Sequence, residues 1–196
     1  MRVAKRSDKD LVLNILTDSF LDNKSVNYLI PKDHKHKDRV RALMDYSFET
    51  CFAFGKVLIS DNSDAIALIS FPENKKTTLQ SLLWEAKLVL NGIGIGNVSK
   101  AMAREKAISQ NYPQTPIYYL WFIAVNPQQQ GKGIGTKFLS EIRNDAAAMK
   151  RPIYLETSTI RNLPFYKNAG LGEYGTLDFG YKLYLIRSMV DADREH

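Results

Sequence analysis

The chain has 196 residues, 44% of them hydrophobic and 24% charged, with 7 prolines, 11 glycines, one cysteine and a formal net charge of +6. That length and balance support one globular domain with a sizeable core and exclude a disordered or collagen-like chain. A lone cysteine excludes a disulfide framework and a multi-cysteine metal site, and no run reaches the roughly 20 apolar residues of a membrane span.

The opening MRVAKRSDKD lacks the apolar stretch of a secretory leader, so the expected location is the cytoplasm, with no membrane partner. Residues 2–6 read as a short edge strand. Ser7 opens a helix, with Asp10 three residues on in a capping-box-like arrangement, and Leu11, Val12, Ile15, Leu16 and Phe20 follow at helical spacing. A second amphipathic helix covers about 35–54 and stops at Gly55. Cys51 lies on its apolar face with Val40, Leu43, Met44 and Phe48, as a buried structural thiol does. The basic run at 32–41 also holds Asp33 and Asp38, so it reads as a solvated helix start carrying His34 and His36. It does not read as a nucleic-acid surface.

Residues 56–60 and 65–71 are β-rich runs joined by Asp-Asn-Ser-Asp, a hairpin pattern. Residues 78–90 and 97–110 return to helical spacing. The glycines between them, at 92, 94 and 96, follow a helix, and Asn97 stands where a dinucleotide loop needs its third glycine; a helix-to-helix turn is expected. Residues 117–125 form the strongest strand, apolar on both faces and therefore central. Ile134, Phe138, Leu139, Ile142, Ala146 and Met149 then trace one helix face. A strand at 153–157, a short helix at 163–169 and a last strand at 181–187 follow, with a frayed tail at 190–196. The expected organisation is one α/β domain over 1–189.

The chemistry concentrates in Val125-Asn-Pro-Gln-Gln-Gln-Gly-Lys-Gly-Ile-Gly-Thr136: a strand, a polar loop with three spaced glycines, and a helix. Gly131, Gly133 and Gly135 remove side chains where the backbone turns into the helix. Its unpaired N–H groups and dipole then favour an anion, and Lys132 adds a full charge. A nucleotide-triphosphate loop needs Gly at the position of Asn126 and Ser or Thr after the lysine, where Gly133 stands. The loop therefore suits a diphosphate held in another way.

Gln130, Gly133 and Gly135, preceded by Val125 and Pro127, resemble the Q/R-x-x-G-x-G/A signature of the GNAT superfamily of N-acetyltransferases. The run Asn162-Leu-Pro-Phe-Tyr-Lys-Asn-Ala-Gly170 resembles a second motif of that superfamily. Together with Leu155-Glu-Thr-Ser158 and Arg161, it is similar to the puromycin N-acetyltransferase group over most of residues 50–170. The resemblance implies a mixed, mostly antiparallel sheet with a splayed strand pair, flanked by helices. Residues 1–110 would form the acceptor-side half and 115–170 the acetyl-CoA half.

The implied activity is transfer of acetyl from acetyl-CoA to a primary amine of a small molecule, by direct attack in a ternary complex, with no metal. A peptide amine acceptor and a non-catalytic acyl-CoA sensor are the alternatives, and either a monomer or a homodimer is compatible with it. The backbone of Ile123 and Val125 is expected to pair with pantetheine. Gln130, Gly131, Lys132, Gly133, Ile134, Gly135 and Thr136 would hold the diphosphate, and Asn162 would bind the pantetheine arm or cap its helix. Tyr166 is the candidate general acid. Many relatives carry a carboxylate on the central strand, but 117–125 has none, so Glu156 on the next strand is the candidate base, ahead of Glu85. Tyr118, Tyr119, Trp121 and Trp84 are candidates for an acceptor pocket or for core.

Overall fold

The structure is a computed structural model that describes residues 1–189; the expected tail at 190–196 lies outside the described residues. The chain runs β1 (Arg2–Val3), α1 (Lys9–Phe20), α2 (Lys24–Asn27), α3 (His36–Phe54), β2 (Gly55–Ile59), β3 (Ala65–Ser70), α4 (Leu79–Leu88) and α5 (Val98–Ser109). The second half is β4 (Tyr118–Val125), α6 (Ile134–Ala148), β5 (Ile153–Thr157), α7 (Leu163–Asn168), β6 (Leu171–Asp178) and β7 (Lys182–Ser188). The strands form one seven-stranded sheet in the order β1-β2-β3-β4-β5-β7-β6. Every pairing is antiparallel except β4 with β5.

The elements read from apolar periodicity stand where expected, with three differences. The first helical turn starts earlier than Ser7 and is capped by Asp8 rather than Asp10: the Asp8 carboxylate accepts from the Lys5 N–H at 2.7 Å and is held by Arg2. The single turn α2 was not anticipated; Asn23 caps it by accepting from the N–H groups of Ser25 and Val26. Strand β6 was also not anticipated. Its sequence, LGEYGTLD, carries two glycines and alternating polar residues, and it takes its conformation from pairing along the whole of β7. Gly55 does more than end α3. A Cβ there would lie 2.0 Å from the Ile69 carbonyl oxygen, so the α3–β2 corner admits no side chain.

Two apolar layers cover the sheet. One packs α1 and α3 (Val12, Leu16, Met44, Phe48) against Val57, Ile59, Ile66 and Leu68. The other packs the α6 stripe of Phe138, Leu139, Ile142 and Ala146, with Tyr166, against Ala67, Ile69, Tyr118 and Leu120. Each such fully buried side chain contributes about 1.5–3 kcal/mol. Cys51 is wholly buried in the first layer, which pushes its thiol pKa up and leaves it no role as a nucleophile.

The central strand changes face partway. In its pairing with β3 the register steps from Leu68↔Phe122 to Ile69↔Leu120, leaving Trp121 as an extra residue, a β-bulge. Tyr118 and Leu120 before the bulge therefore share a face with Ile123 and Val125 after it, while Phe122 and Ala124 pack on the α1/α3 side. Each face of the strand is covered by an apolar layer, which is why it is apolar on both.

Candidate active site

The parallel pair β4–β5 is joined at only two positions, Tyr118↔Ile153 and Tyr119↔Tyr154. Beyond them the strands part. β4 stays zipped to β3 as far as Val125, and β5 to β7 as far as Thr157. The Asn126 N–H donates to the Asp64 carbonyl at 2.7 Å, on the β3 side. Alternation along the strand then turns the N–H and C=O of Ile123 and Val125 the other way, into the opening. Val125 C=O accepts there from Gln130 Nε2 at 3.2 Å and from Ser19 Oγ at 3.4 Å.

The loop that leaves β4 is organised by backbone geometry. Asn126 Oδ1 accepts from the Gln128 N–H, closing a short turn after the strand. Gly131 and Gly133 have φ of +81° and +76°, the left-handed region that favours glycine, and a Cβ on either would meet only open space. Gly133 is the N-cap of α6 and supplies no side-chain cap, so the first amides of the helix, from Ile134, Gly135 and Thr136, stay available to a ligand. Gly135 lies where a Cβ would touch Val125 at 3.4 Å and Phe165 at 3.7 Å, so a larger side chain would push the helix start off the strand end. Lys132 is exposed and its ammonium donates to the neutral Gln129 side chain at 2.6 Å, which leaves its charge uncompensated. These features fit a diphosphate: converging amides, a helix dipole, one free cation and no side chains in the way.

The other candidates stand around the opening. Asn162 begins α7, but its side chain makes no capping bond, so the capping alternative is not realised. Tyr166 is 5% exposed, packs edge-on to Phe165 at 5.1 Å and has no hydrogen-bond partner among the described residues; burial pushes its hydroxyl pKa up. Glu156 alternates with Leu155 and so lies on the opposite face of the sheet from Tyr166. Its two carboxylate oxygens accept from Tyr112 at 2.8 Å and Tyr119 at 2.7 Å. Burial raises its pKa above the ordinary 4.5, while those two hydroxyls and the charge of Arg104 pull it back down. Burial first, and also the charge of Glu156, raises the pKa of both tyrosines, so they stay protonated donors.

The packing sorts the remaining candidates. Tyr118 is fully buried and donates to Asp145, which also holds Lys56, so it belongs to the core and not to an acceptor wall. Tyr119 and Trp121 stack at 6.4 Å on the Glu156 side, while Trp84 packs edge-on to Phe54. His36 is not solvated: its two ring nitrogens lie 3.0 and 3.1 Å from the carbonyls of Pro31 and Leu21, tying the start of α3 to the end of α1. Glu85 is half-exposed beside Lys75 at 3.8 Å. Tyr112, the second hydroxyl on Glu156, carried no signal in its Asn-Tyr-Pro setting. Among the described residues no cluster of three or more histidine, cysteine, aspartate or glutamate side chains is placed to hold a metal, and no helix is long and apolar enough to cross a membrane.

A half-zipped parallel pair beside a glycine-lined helix start is the arrangement that the resemblance to the N-acetyltransferase superfamily implies. Comparison with known proteins gives the same class. Residues 87–170 match the acetyltransferase (GNAT) domain family. An N-acetyltransferase of Schizosaccharomyces pombe, itself uncharacterized, is 27% identical over 165 residues, spanning 79% of this chain and 67% of the relative. Among solved structures, a protein of Corynebacterium glutamicum titled histone acetyltransferase HPA2 and related acetyltransferase superposes with a TM-score of 0.66 at 17% identity, over 97% of each chain. Arylalkylamine N-acetyltransferase 2 of Aedes aegypti superposes at 0.62 with 13% identity, over 97% of this chain and 98% of that one. The family match covers residues 87–170, and the solved structures show that the whole chain is built on the same single-domain α/β fold.

Proposed function

We propose that this protein transfers acetyl from acetyl-CoA to the primary amine of a small molecule, directly and without an acyl-enzyme stage. The observation that carries the proposal is the opening between β4 and β5, where the backbone edge of Ile123 and Val125 left unzipped by β5 is flanked by the partly buried Glu156 carboxylate on one face of the sheet and the buried Tyr166 phenol on the other. Acetyl-CoA supplies an activated acyl thioester. Gln130, Gly131, Lys132, Gly133, Ile134, Gly135 and Thr136 hold its diphosphate, and Ile123, Val125 and Asn162 orient its arm.

Glu156 takes the proton that an ammonium acceptor must lose before it attacks. Its raised pKa suits a base working nearer neutrality than an exposed glutamate would. The Val125 N–H donates toward the carbonyl oxygen as charge builds on it, and its value rises in a site emptied of water. Tyr166 gives its proton to the departing sulfur. Burial that keeps this phenol protonated also makes a desolvated thiolate more basic, so the transfer is not opposed. Cys51, sealed in the core, supports direct attack over a ping-pong route.

In this reading residues 1–110 build the acceptor side and 115–170 the acetyl-CoA side. The resemblance of Arg161-Asn-Leu-Pro-Phe-Tyr166 to the puromycin N-acetyltransferase group adds aminonucleosides to the acceptors worth testing, and the Aedes aegypti neighbour adds arylalkylamines. The test follows thiol release from acetyl-CoA over a panel of small amines and amino-terminal peptides. Turnover of small amines at kcat/KM at least tenfold above any peptide is expected. Binding of acetyl-CoA without turnover of any amine would overturn the proposal.

A further inference from the structure

A cleft of about 670 Å³ lies beside the opening, and none of its lining residues comes from the 123–136 segment that carries the diphosphate loop. One wall is α2 with the turns on either side of it. The other is the tip of the β6–β7 hairpin, and Ser158 and Ile160 follow directly from the strand that carries Glu156. Ser158 is tied to the first wall: the Ser25 N–H donates to its hydroxyl at 3.3 Å, and that hydroxyl donates to Asn23 at 3.4 Å.

Two properties of the lining stand out. The first is charge: Lys24, Lys32 and Lys182 face the cleft against a single carboxylate, Asp22. None of the three lysine ammonium groups makes an ion pair or hydrogen bond among the described residues, so three uncompensated charges surround one cavity. The second is a rigid aromatic wall. Tyr28, Phe179 and Tyr181 pack with ring centroids 5.4 to 6.0 Å apart. Arg104 braces them by donating to Tyr181 at 3.2 Å and to Ser25 at 2.5 Å, and Lys100 stands 3.7 Å from the Tyr28 ring centre. Both braces add positive field.

We propose that this cleft receives the non-reacting end of the acceptor and that this end is anionic: the acceptor is a primary amine that also bears a carboxylate or a phosphate. The inference rests on the amine-transfer reading and names the substrate class within it. A polyamine or a basic peptide would bring further positive charge against three free lysines. The diphosphate of the acyl carrier is already served by the loop at 130–136, outside the cleft. An anion recognised here leaves the amine on the same molecule free to reach past Ser158 toward Glu156, two residues along the chain.

The test compares amines matched but for the anion: tryptamine with tryptophan, and glucosamine with glucosamine 6-phosphate, with spermidine as the dicationic control. The anionic member of at least one pair is expected to show about tenfold or greater advantage in kcat/KM, falling at about 0.5 M salt because the lysines are exposed and screened. Which pair responds tells carboxylate from phosphate. Reversing the charges (Lys24→Glu, Lys32→Glu and Lys182→Glu together, with Lys182→Glu alone as the milder variant) should invert the preference and leave the KM for acetyl-CoA unchanged. Tryptamine and glucosamine, or spermidine, turned over as well as or better than the anion-bearing amines would overturn the anionic subsite alone. So would a reversal variant that weakens acetyl-CoA and keeps the acceptor preference. No thiol release with any amine would overturn the transfer reading, and the subsite with it.

Discussion

The two sides of the β4–β5 opening are built from different material. On the proposed carrier side the groups that would face the ligand are backbone: N–H groups laid bare by Gly131 and Gly133 at the start of α6, and the edge of β4 at Ile123 and Val125 that β5 leaves unzipped. On the proposed acceptor side they would be side chains drawn from distant parts of the chain: Glu156 with Tyr112 and Tyr119, and Ser25 with Arg104 and Tyr181. Backbone recognition needs a particular local conformation and little else, so it leaves a compact motif. Side-chain recognition needs tertiary assembly and leaves none. A protein built this way can keep its carrier while its acceptor changes by ordinary surface substitution.

The comparison breaks first at the groups that handle protons. Tyr166→Phe should bind acetyl-CoA as the parent does and lose about 10²- to 10⁴-fold in turnover, the usual worth of a positioned proton transfer; stopped-flow or steady-state thiol release measures it. If turnover is unchanged, Tyr166 is packing only. Glu156→Gln should cost a similar factor in kcat/KM and remove the acid limb of its pH profile.

The position of that limb sharpens the comparison further. Burial raises the Glu156 pKa above 4.5, so the parent's limb lies above that value, and loss of the hydroxyls that lower it, in the Tyr112→Phe, Tyr119→Phe double variant, should carry the limb to still higher pH. The sign holds for stability too. The folded chain binds this proton more tightly than the unfolded chain does, so stability present below pH 4.5 is lost as pH rises through the raised folded value. Urea titrations across that window should show the fall, and Glu156→Gln should flatten it. The smallest effect belongs to Tyr118→Phe. It removes a hydroxyl bonded to Asp145 within the core and should cost about 1 kcal/mol in urea unfolding while leaving kcat/KM intact. A change in acceptor preference there would return Tyr118 to the acceptor wall.

The same division explains what could be read without coordinates. The strand, glycine loop and helix at 117–148 were legible because apolar periodicity and glycine spacing are local signals. Strand β6 was not: Gly172 and Gly175 with Glu173 and Asp178 give no apolar run, and only pairing with β7 makes the segment extended. The bulge at Trp121 was hidden because a strand apolar on both faces reads the same in either register. Glu156 was legible as a candidate, being the acid on the strand beside the central one, but its two tyrosine partners lie 44 and 37 residues away in the chain. His36 looked like part of a solvated basic run, and only the path of the chain between α1 and α3 brings the carbonyls of Leu21 and Pro31 to its ring.

The central claim, that main-chain amides at the head of α6 grip the carrier's diphosphate, is most directly tested by calorimetry. CoA and pantetheine would be titrated into the parent and into Gly133→Val, a substitution that forces a branched side chain onto a φ of +76°. CoA should bind the parent at least about 100-fold more tightly than pantetheine, and the variant should lose most of that difference, since left-handed backbone costs about 1–2 kcal/mol for such a residue and its methyls would stand in the cradle. Equal affinity for CoA in parent and variant, or no binding of CoA to the parent at millimolar concentration, would contradict the claim.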